Sequence, residues 1–284
     1  MKASDDALNM LRSNWTEMSG LESDQDRGVP MPAAEKEDNA AAAEGDEGSG
    51  ARAHAGGSAH ARESAGGNVD HGAKRIPLIP PREIHAPGMT VWEALGARAS
   101  RRKYSDDSVT TEQLSAVLYA TQGVRGRRGA RILKTAPSGG ARHPLELYVV
   151  ARRVDGVTPG LYHYRSGSHE LASLRPFRDD DAATEDGSLD AALRGQLWNA
   201  AAYLILTAIP YRTEWRYPGR AGKLVALDAG HALENTYLIC EALGLGTCAV
   251  GAYDQDLLDA YLGVDGKEEL AVYAAPIGVP ANAE

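Results

Sequence analysis

Two short stretches of this chain carry residue types suited to gripping an anionic or flat ligand. In Arg98-Ala99-Ser100-Arg101-Arg102, the two outer arginines and the serine alternate with their neighbours. An extended backbone therefore puts them on one side. Two guanidinium groups and a hydroxyl suit a phosphate and the sugar chain attached to it. A solvated charged run at a helix end would read the same way. The second stretch is Pro137-Ser138-Gly139-Gly140, a tight polar turn. Its adjacent glycines let backbone approach a ligand closely, and its serine adds a hydroxyl donor. An ordinary turn into a core strand has the same composition. The chain contains neither a Walker A loop nor G-x-G-x-x-G, so the phosphate would not belong to a P-loop or Rossmann site.

The elements that must position these residues are legible in the surrounding pattern. Pro144 fixes the chain ahead of a β-branched and aromatic strand, Leu145 to Val150. Thr90 with Glu93 forms a capping box for a short helix, and Thr110 with Gln113 opens a second, stopped by Gly123. Residues 124–131 hold four arginines and predict an exposed, mobile loop. Residues 160–165 and 169–174 read as paired strands. An acidic loop over 179–190 leads to a helix around Leu189–Asn199, then a buried strand at Ala202–Ile209. Lys223 to Leu243 is the longest helix, apolar round most of its circumference and so central to the core. A strand over Gly246–Tyr253, a helix capped by Asp254 and ending near Gly263, and a last strand at Leu270–Ile277 complete the order. Such a mixture without a strict βαβ repeat argues an α+β sheet covered by helices.

Composition bounds the possibilities. With 284 residues, 43% of them hydrophobic, the chain can build a sizeable core. Of the net charge of −9, the first 75 residues carry −6. The near-neutral remainder has no basic stripe of the kind nucleic-acid binding needs. Cys240 and Cys248 give neither a metal spacing nor a disulfide framework. Without a long apolar run or a signal-like N-terminus, a cytoplasmic location is the default expectation, with no membrane partner. Residues 20–75 are rich in Ala, Gly, Ser, Asp and Glu and predict a disordered tail. His54, His60 and His71 within it lack the partners of a metal site. Leu8, Leu11, Trp15 and Met18 stripe one face of a possible helix over 7–18. That stripe fits either a chance pattern in an unfolded tail or a docking helix for a biosynthetic partner protein. The domain division is thus 1–75 and 76–284.

Several segments together resemble the FMN-dependent nitroreductase superfamily, and more closely its SagB/ThcOx-type dehydrogenase branch. Residues 98–104 (RASRRKY) are similar to the family's RRSxRxF segment. Pro137-Ser138-Gly139-Gly140-Ala141 with Pro144-Leu145-Glu146-Leu147-Tyr148 resembles PSAGA…PLELYVV, and residues 160–164 match GLYHY. Residues 227–235 and 244–251 resemble the AGH…N…GLG…G block. The resemblance implies a nitroreductase-like mixed, antiparallel sheet flanked by helices and an intertwined homodimer with FMN between subunits. It also implies that Arg98, Ala99, Ser100 and Arg102 hold the FMN phosphate and ribityl chain. Pro137, Ser138 and Gly139 would lie along the flavin. Val250, Gly251 and Ala252 would offer backbone N–H groups to its ring, where fixed dipoles favour reduction.

The peptide-oxidase branch carries a Lys-Tyr pair where this chain has Arg216-Tyr217. By that resemblance Tyr217 removes a proton while hydride leaves to flavin N5, and Arg216 supplies charge but cannot itself be a base. The chain also ends without the basic residue many superfamily members place on the phosphate, which shifts that load to Arg98 and Arg102. The implied activity is dehydrogenation of a heterocyclic, azoline-like or peptide-derived substrate in natural-product biosynthesis. Two alternatives stand beside it. One is an NAD(P)H-dependent reductase of nitro groups, quinones or enones at the same flavin site. The other is a non-catalytic scaffold in a biosynthetic complex. Outside this set, His231 reads as a hydrogen-bonded core histidine, Asn235 as an inter-helix hydrogen bond, Gly230 as a point of close backbone packing, and Cys248 as a small packed residue.

Overall fold

A computed structural model of the chain describes residues 21–35, 74–85, 88–178 and 182–281. The possible helix over 7–18 and the three tail histidines lie outside the described residues. Six helices and nine strands follow in order among the described residues. They are β1 (Arg75–Pro77), α1 (Val91–Ala97), α2 (Thr111–Gln122), β2 (Val124–Arg128), β3 (Arg131–Lys134), β4 (Leu145–Ala151) and β5 (Gly160–Arg165). Then come β6 (Glu170–Pro176), α3 (Ala182–Ala192), β7 (Ala202–Ala208), α4 (Tyr211–Glu214), α5 (Ala221–Ala242), β8 (Gly246–Thr247), α6 (Gln255–Leu262) and β9 (Leu270–Gly278).

Seven strands form one sheet in the order β1-β6-β5-β4-β7-β9-β8, every pair antiparallel. Its centre is β4 paired with β7, whose residues are buried throughout. Successive side chains point to opposite faces, so one strand serves two cores. Leu145, Leu147 and Val149 join Leu204 and Leu206 in a core under α2 and α5. Tyr148 and Val150 join Tyr203 and Ile205 in the other, under α3 and α6. This is the expected mixed α+β architecture, with the antiparallel sheet between helical layers. Both capping boxes form as expected, Thr90 with Glu93 and Thr110 with Gln113. Asp254 caps α6 through the Leu257 N–H, and Gly263 ends it in a left-handed conformation.

Four boundaries depart from the sequence expectations. The helix expected at Leu189–Asn199 instead spans α3, most of it within the stretch read as an acidic loop. It stops where Arg194 and Gly195 turn left-handed, and leucines 189 and 193 still bury themselves. The arginine-rich stretch is the β2–β3 hairpin, because Val124 and Leu133 sit in a paired ladder that carries the arginines outward. The expected strand at Gly246–Tyr253 shortens to β8, with Val250 pairing again to Ala274 through an isolated bridge. Finally, residues 21–35 lie in the stretch expected to be disordered but dock against α4. Gln25 N–H donates to Trp215 O at 3.0 Å, Trp215 Nε1 donates to Val29 O at 2.9 Å, and Tyr211 Oη donates to Asp24 at 2.9 Å. Two of these bonds run through the segment's backbone, so composition alone carries little trace of them.

Candidate active site

The glycine turn is shaped by helix α5. Gly140 takes a φ of 63°, and Ala141 and His143 are also left-handed. Gly139 N–H donates to Asp228 Oδ1 at 3.2 Å, the Ser138 hydroxyl is hydrogen-bonded to the same carboxyl group, and His143 N–H donates to Ser138 Oγ at 2.9 Å. Burial raises the Asp228 pKa, partly offset by these bonds. The serine expected to face a ligand therefore points its hydroxyl into the protein. Pro137 is exposed and Gly139 half-buried, so the outer edge of the turn remains open.

Tyr217 closes on this turn. A β-carbon built on Gly140 would lie 2.6 Å from the Tyr217 phenol oxygen, so a larger residue there would displace the ring as well as strain a left-handed backbone. The Arg216 guanidinium lies 5.4 Å from the centre of the Tyr217 ring, over its face. Arg216 and Tyr217 thus stack on each other, and Tyr217 rests on the glycine turn.

A second group lies further along α5, around Tyr237. Arg98 stacks 5.2 Å from the Tyr237 ring centre, and Ser100 Oγ is 3.1 Å from its hydroxyl. The same hydroxyl accepts the Ala249 N–H at 2.7 Å. Ser100 is further held by a bridge to Thr247, and Arg101 turns away to pair with Glu241 through both guanidinium nitrogens. Arg102 does not reach Tyr237. It lies 5.6 Å over the Trp198 ring, in a loop whose Gln196 donates to Ala252 O at 2.7 Å. Ala99 is exposed between them. Tyr237 was invisible to sequence reasoning because a tyrosine within a long apolar helix reads as core.

Val250 is buried and exchanges hydrogen bonds with Ala274 at 2.7 and 3.1 Å. Gly251 and Ala252 are exposed, and among the described residues neither N–H donates a hydrogen bond. Gly251 borders a cavity of about 510 Å³ whose walls include Val225, Ala229, Tyr253, Val272 and Tyr273. The Tyr253 hydroxyl donates to Ala271 O at 3.0 Å, leaving an apolar wall.

Asp228, which holds the glycine turn, and Tyr237, which holds Arg98 and Ser100, stand nine residues apart on α5. That separation is about 13.5 Å along the axis. One copy of the chain does not gather its turn and its phosphate-type residues at a single point.

Behind the turn lies a buried charged cluster. Glu146 on β4 accepts from Arg212 Nη2 at 2.6 Å and is 3.0 Å from His163 Nε2. Arg212 Nη1 also donates to His143 O at 3.2 Å. Burial opposes the Glu146 charge, yet Arg212, the His163 hydrogen bond and Lys134 together hold its pKa well below the usual range. Burial first, then the neighbouring Lys134 charge, pushes His143 down to about 4 from 6.5. A neutral histidine in the folded state binds fewer protons than the unfolded chain between those values. Stability should therefore fall as pH drops from 6.5 to about 4, by about 3 kcal/mol from this group. His143→Asn, which tolerates the left-handed backbone, should flatten that part of the melting-temperature profile; an unchanged slope would remove His143 as its source.

Elsewhere, His231 is exposed and not a core histidine, since its side of α5 faces away from the sheet. Asn235 Nδ2 donates to Ala120 O at 3.0 Å, the inter-helix bond expected of it. Cys248 is buried. Among the described residues no three His, Cys, Asp or Glu side chains gather as a metal site. No helix among them is long and apolar enough to cross a membrane.

The fold, an antiparallel sheet between helical layers, is similar to that of a solved nitroreductase-type structure from Ralstonia eutropha. The two share 25% identity and a TM-score of 0.58, over 74% of this chain and 90% of that one. A chain in the Escherichia coli microcin synthetase McbBCD complex has the same fold at 15% identity and a TM-score of 0.53, over 99% of this chain and 95% of that one. The model of the nitroreductase family matches residues 95–279. This chain belongs to that family, a family of oxidoreductases that generally use flavin. It is 36% identical over 166 residues to a protein of Methanocaldococcus jannaschii named as a nitroreductase, covering 58% of this chain and 80% of that protein. It is 29% identical over 159 residues to the trifolitoxin-processing protein TfxB of Rhizobium leguminosarum bv. trifolii, covering 55% of this chain but only 40% of that protein.

Proposed function

We propose that this chain is an FMN-dependent dehydrogenase of a heterocyclic, azoline-like or peptide-derived substrate, working as a homodimer. The observation that carries the reading is Tyr217 seated on Gly140, next to a turn of the type that lines flavin in the resemblance. The residues present fit FMN: Gly251 borders an apolar cavity of about 510 Å³, the Gly251 and Ala252 N–H groups donate no hydrogen bond among the described residues, and Arg98 and Ser100 offer donors to a phosphate and its sugar chain. Bound there, FMN would supply a two-electron acceptor for the substrate's hydride. Acting as the phenolate, Tyr217 would take the accompanying proton on its oxygen and become the neutral phenol, Arg216 would bias that site with positive charge, and the apolar walls would limit water. The relationship to a toxin-processing protein favours a peptide-derived substrate.

The assay is anaerobic mixing of the yellow protein with an azoline-bearing peptide or with NAD(P)H, followed by absorbance near 450 nm. Bleaching by the peptide alone supports the reading. Prompt bleaching by NAD(P)H supports a nitro, quinone or enone reductase instead, the reading favoured by the M. jannaschii relative. A colourless protein that refuses added FMN overturns both.

The dimer rests on an uncovered apolar face. Trp92, Val91 and Leu95 on α1 are 84%, 70% and 53% exposed, and Leu227 on α5 is 50% exposed. A β-carbon on Gly230 would meet nothing within 4 Å, so no neighbour among the described residues needs that glycine. A second copy would cover this face. Leu227→Glu is expected to turn a dimer into a monomer by light scattering and to lower FMN content with it. A variant that stays dimeric removes α5 from the interface.

A further inference from the structure

The Glu146–Arg212 pair lies outside every segment assigned to ligand, yet it joins the two pieces that meet at the site. Both side chains are about 95% buried, at 5% and 4% exposure. A buried ion pair is costly unless its hydrogen bonds are complete, so its presence calls for a reason other than stability. The geometry shows one. Arg212 divides its fork: Nη2 binds the Glu146 carboxylate, and Nη1 binds His143 O, the far end of the glycine turn. Glu146 is pinned from its other oxygen by His163 on β5.

Arg212 itself sits on α4, and the coil continues from there to the tyrosine. Arg216 N–H and Tyr217 N–H both return to Thr213 O, at 3.1 and 2.9 Å. One guanidinium thus ties the turn containing Gly140 to the helix that delivers Tyr217. The contact it guards is tight, since the phenol oxygen occupies the space a Gly140 β-carbon would need.

We infer that Arg212, braced by Glu146, is a positioning residue that sets the Tyr217 phenol against the Gly140 turn. The inference rests on the reading of Tyr217 as the proton acceptor. Lysine at 212 would keep the charge opposite Glu146 but cannot reach both acceptors, because it lacks the fixed fork.

The test uses the full-length protein as wild type, Arg212→Lys, Tyr217→Phe and the double variant. With a thiazoline-bearing model peptide as probe, Arg212→Lys should lower kcat roughly tenfold to a hundredfold at unchanged FMN content. Adding Tyr217→Phe to it should then cost far less than Tyr217→Phe costs alone. Losses that simply multiply overturn the inference. Hydrogen exchange supplies a readout independent of turnover: amides 139–143 and 212–217 should speed up together in Arg212→Lys, with β7 unchanged. Exchange that rises in one segment alone, in neither, or throughout the protein also overturns it. If wild type turns over no probe, or Tyr217→Phe is as fast as wild type, the reading of Tyr217 fails, and the exchange result still decides whether Arg212 ties the two segments.

Discussion

Tyr217→Phe is expected to lower turnover of an azoline-bearing substrate by roughly 10²–10⁴-fold, the usual worth of a positioned acid–base group. FMN content should stay at the wild-type level. The phenylalanine ring keeps the packing against Gly140 and under the Arg216 guanidinium, so only the oxygen is lost. The oxygen is the atom that would take the proton. A loss of FMN content that matches the loss of turnover would show that the ring matters for architecture alone. Rapid-mixing measurements of flavin reduction separate these outcomes, because they isolate the step in which hydride and proton leave the substrate.

The second large effect is expected at the phosphate end. Arg98→Ala should weaken FMN binding by roughly 10–100-fold, the loss of one charge-assisted contact worth about 1.5–3 kcal/mol. Arg98 is stacked on Tyr237, and among the described residues it has no carboxylate partner. Its charge is therefore available to a ligand. Arg101, by contrast, is committed to Glu241, and Arg101→Ala should act on stability before cofactor affinity. Titration of apoprotein with FMN, followed by flavin fluorescence, measures the difference. Wild-type affinity in Arg98→Ala would move the phosphate away from this residue.

The elements that depend on local chemistry were readable from the chain alone. Thr90 with Glu93 and Thr110 with Gln113 start helices because hydroxyl and side chain answer backbone donors three residues apart. The run from Leu145 to Val150 is a strand because it is rich in β-branched and aromatic residues, and the sheet buries both of its faces. Segments that depend on distant partners were not. Residues 21–35 look like tail until Trp215 offers hydrogen bonds to their backbone. The start of α3 was misplaced because acidic residues can solvate either a loop or the outer side of a helix, and only burial of Leu189 decides between them.

The same division holds at the candidate site. Residue types and order along the chain determined the family, the arginine–serine run, the glycine turn and the Arg216-Tyr217 pair, because those are statements about local chemistry. Tertiary structure alone decided that Tyr217 rests on Gly140, that Tyr237 gathers Arg98 and Ser100 while Arg102 goes to Trp198, and that Arg212 braces the turn from behind. Each of those contacts joins residues dozens of positions apart, through directional bonds whose geometry exists only once sheet and helices have packed.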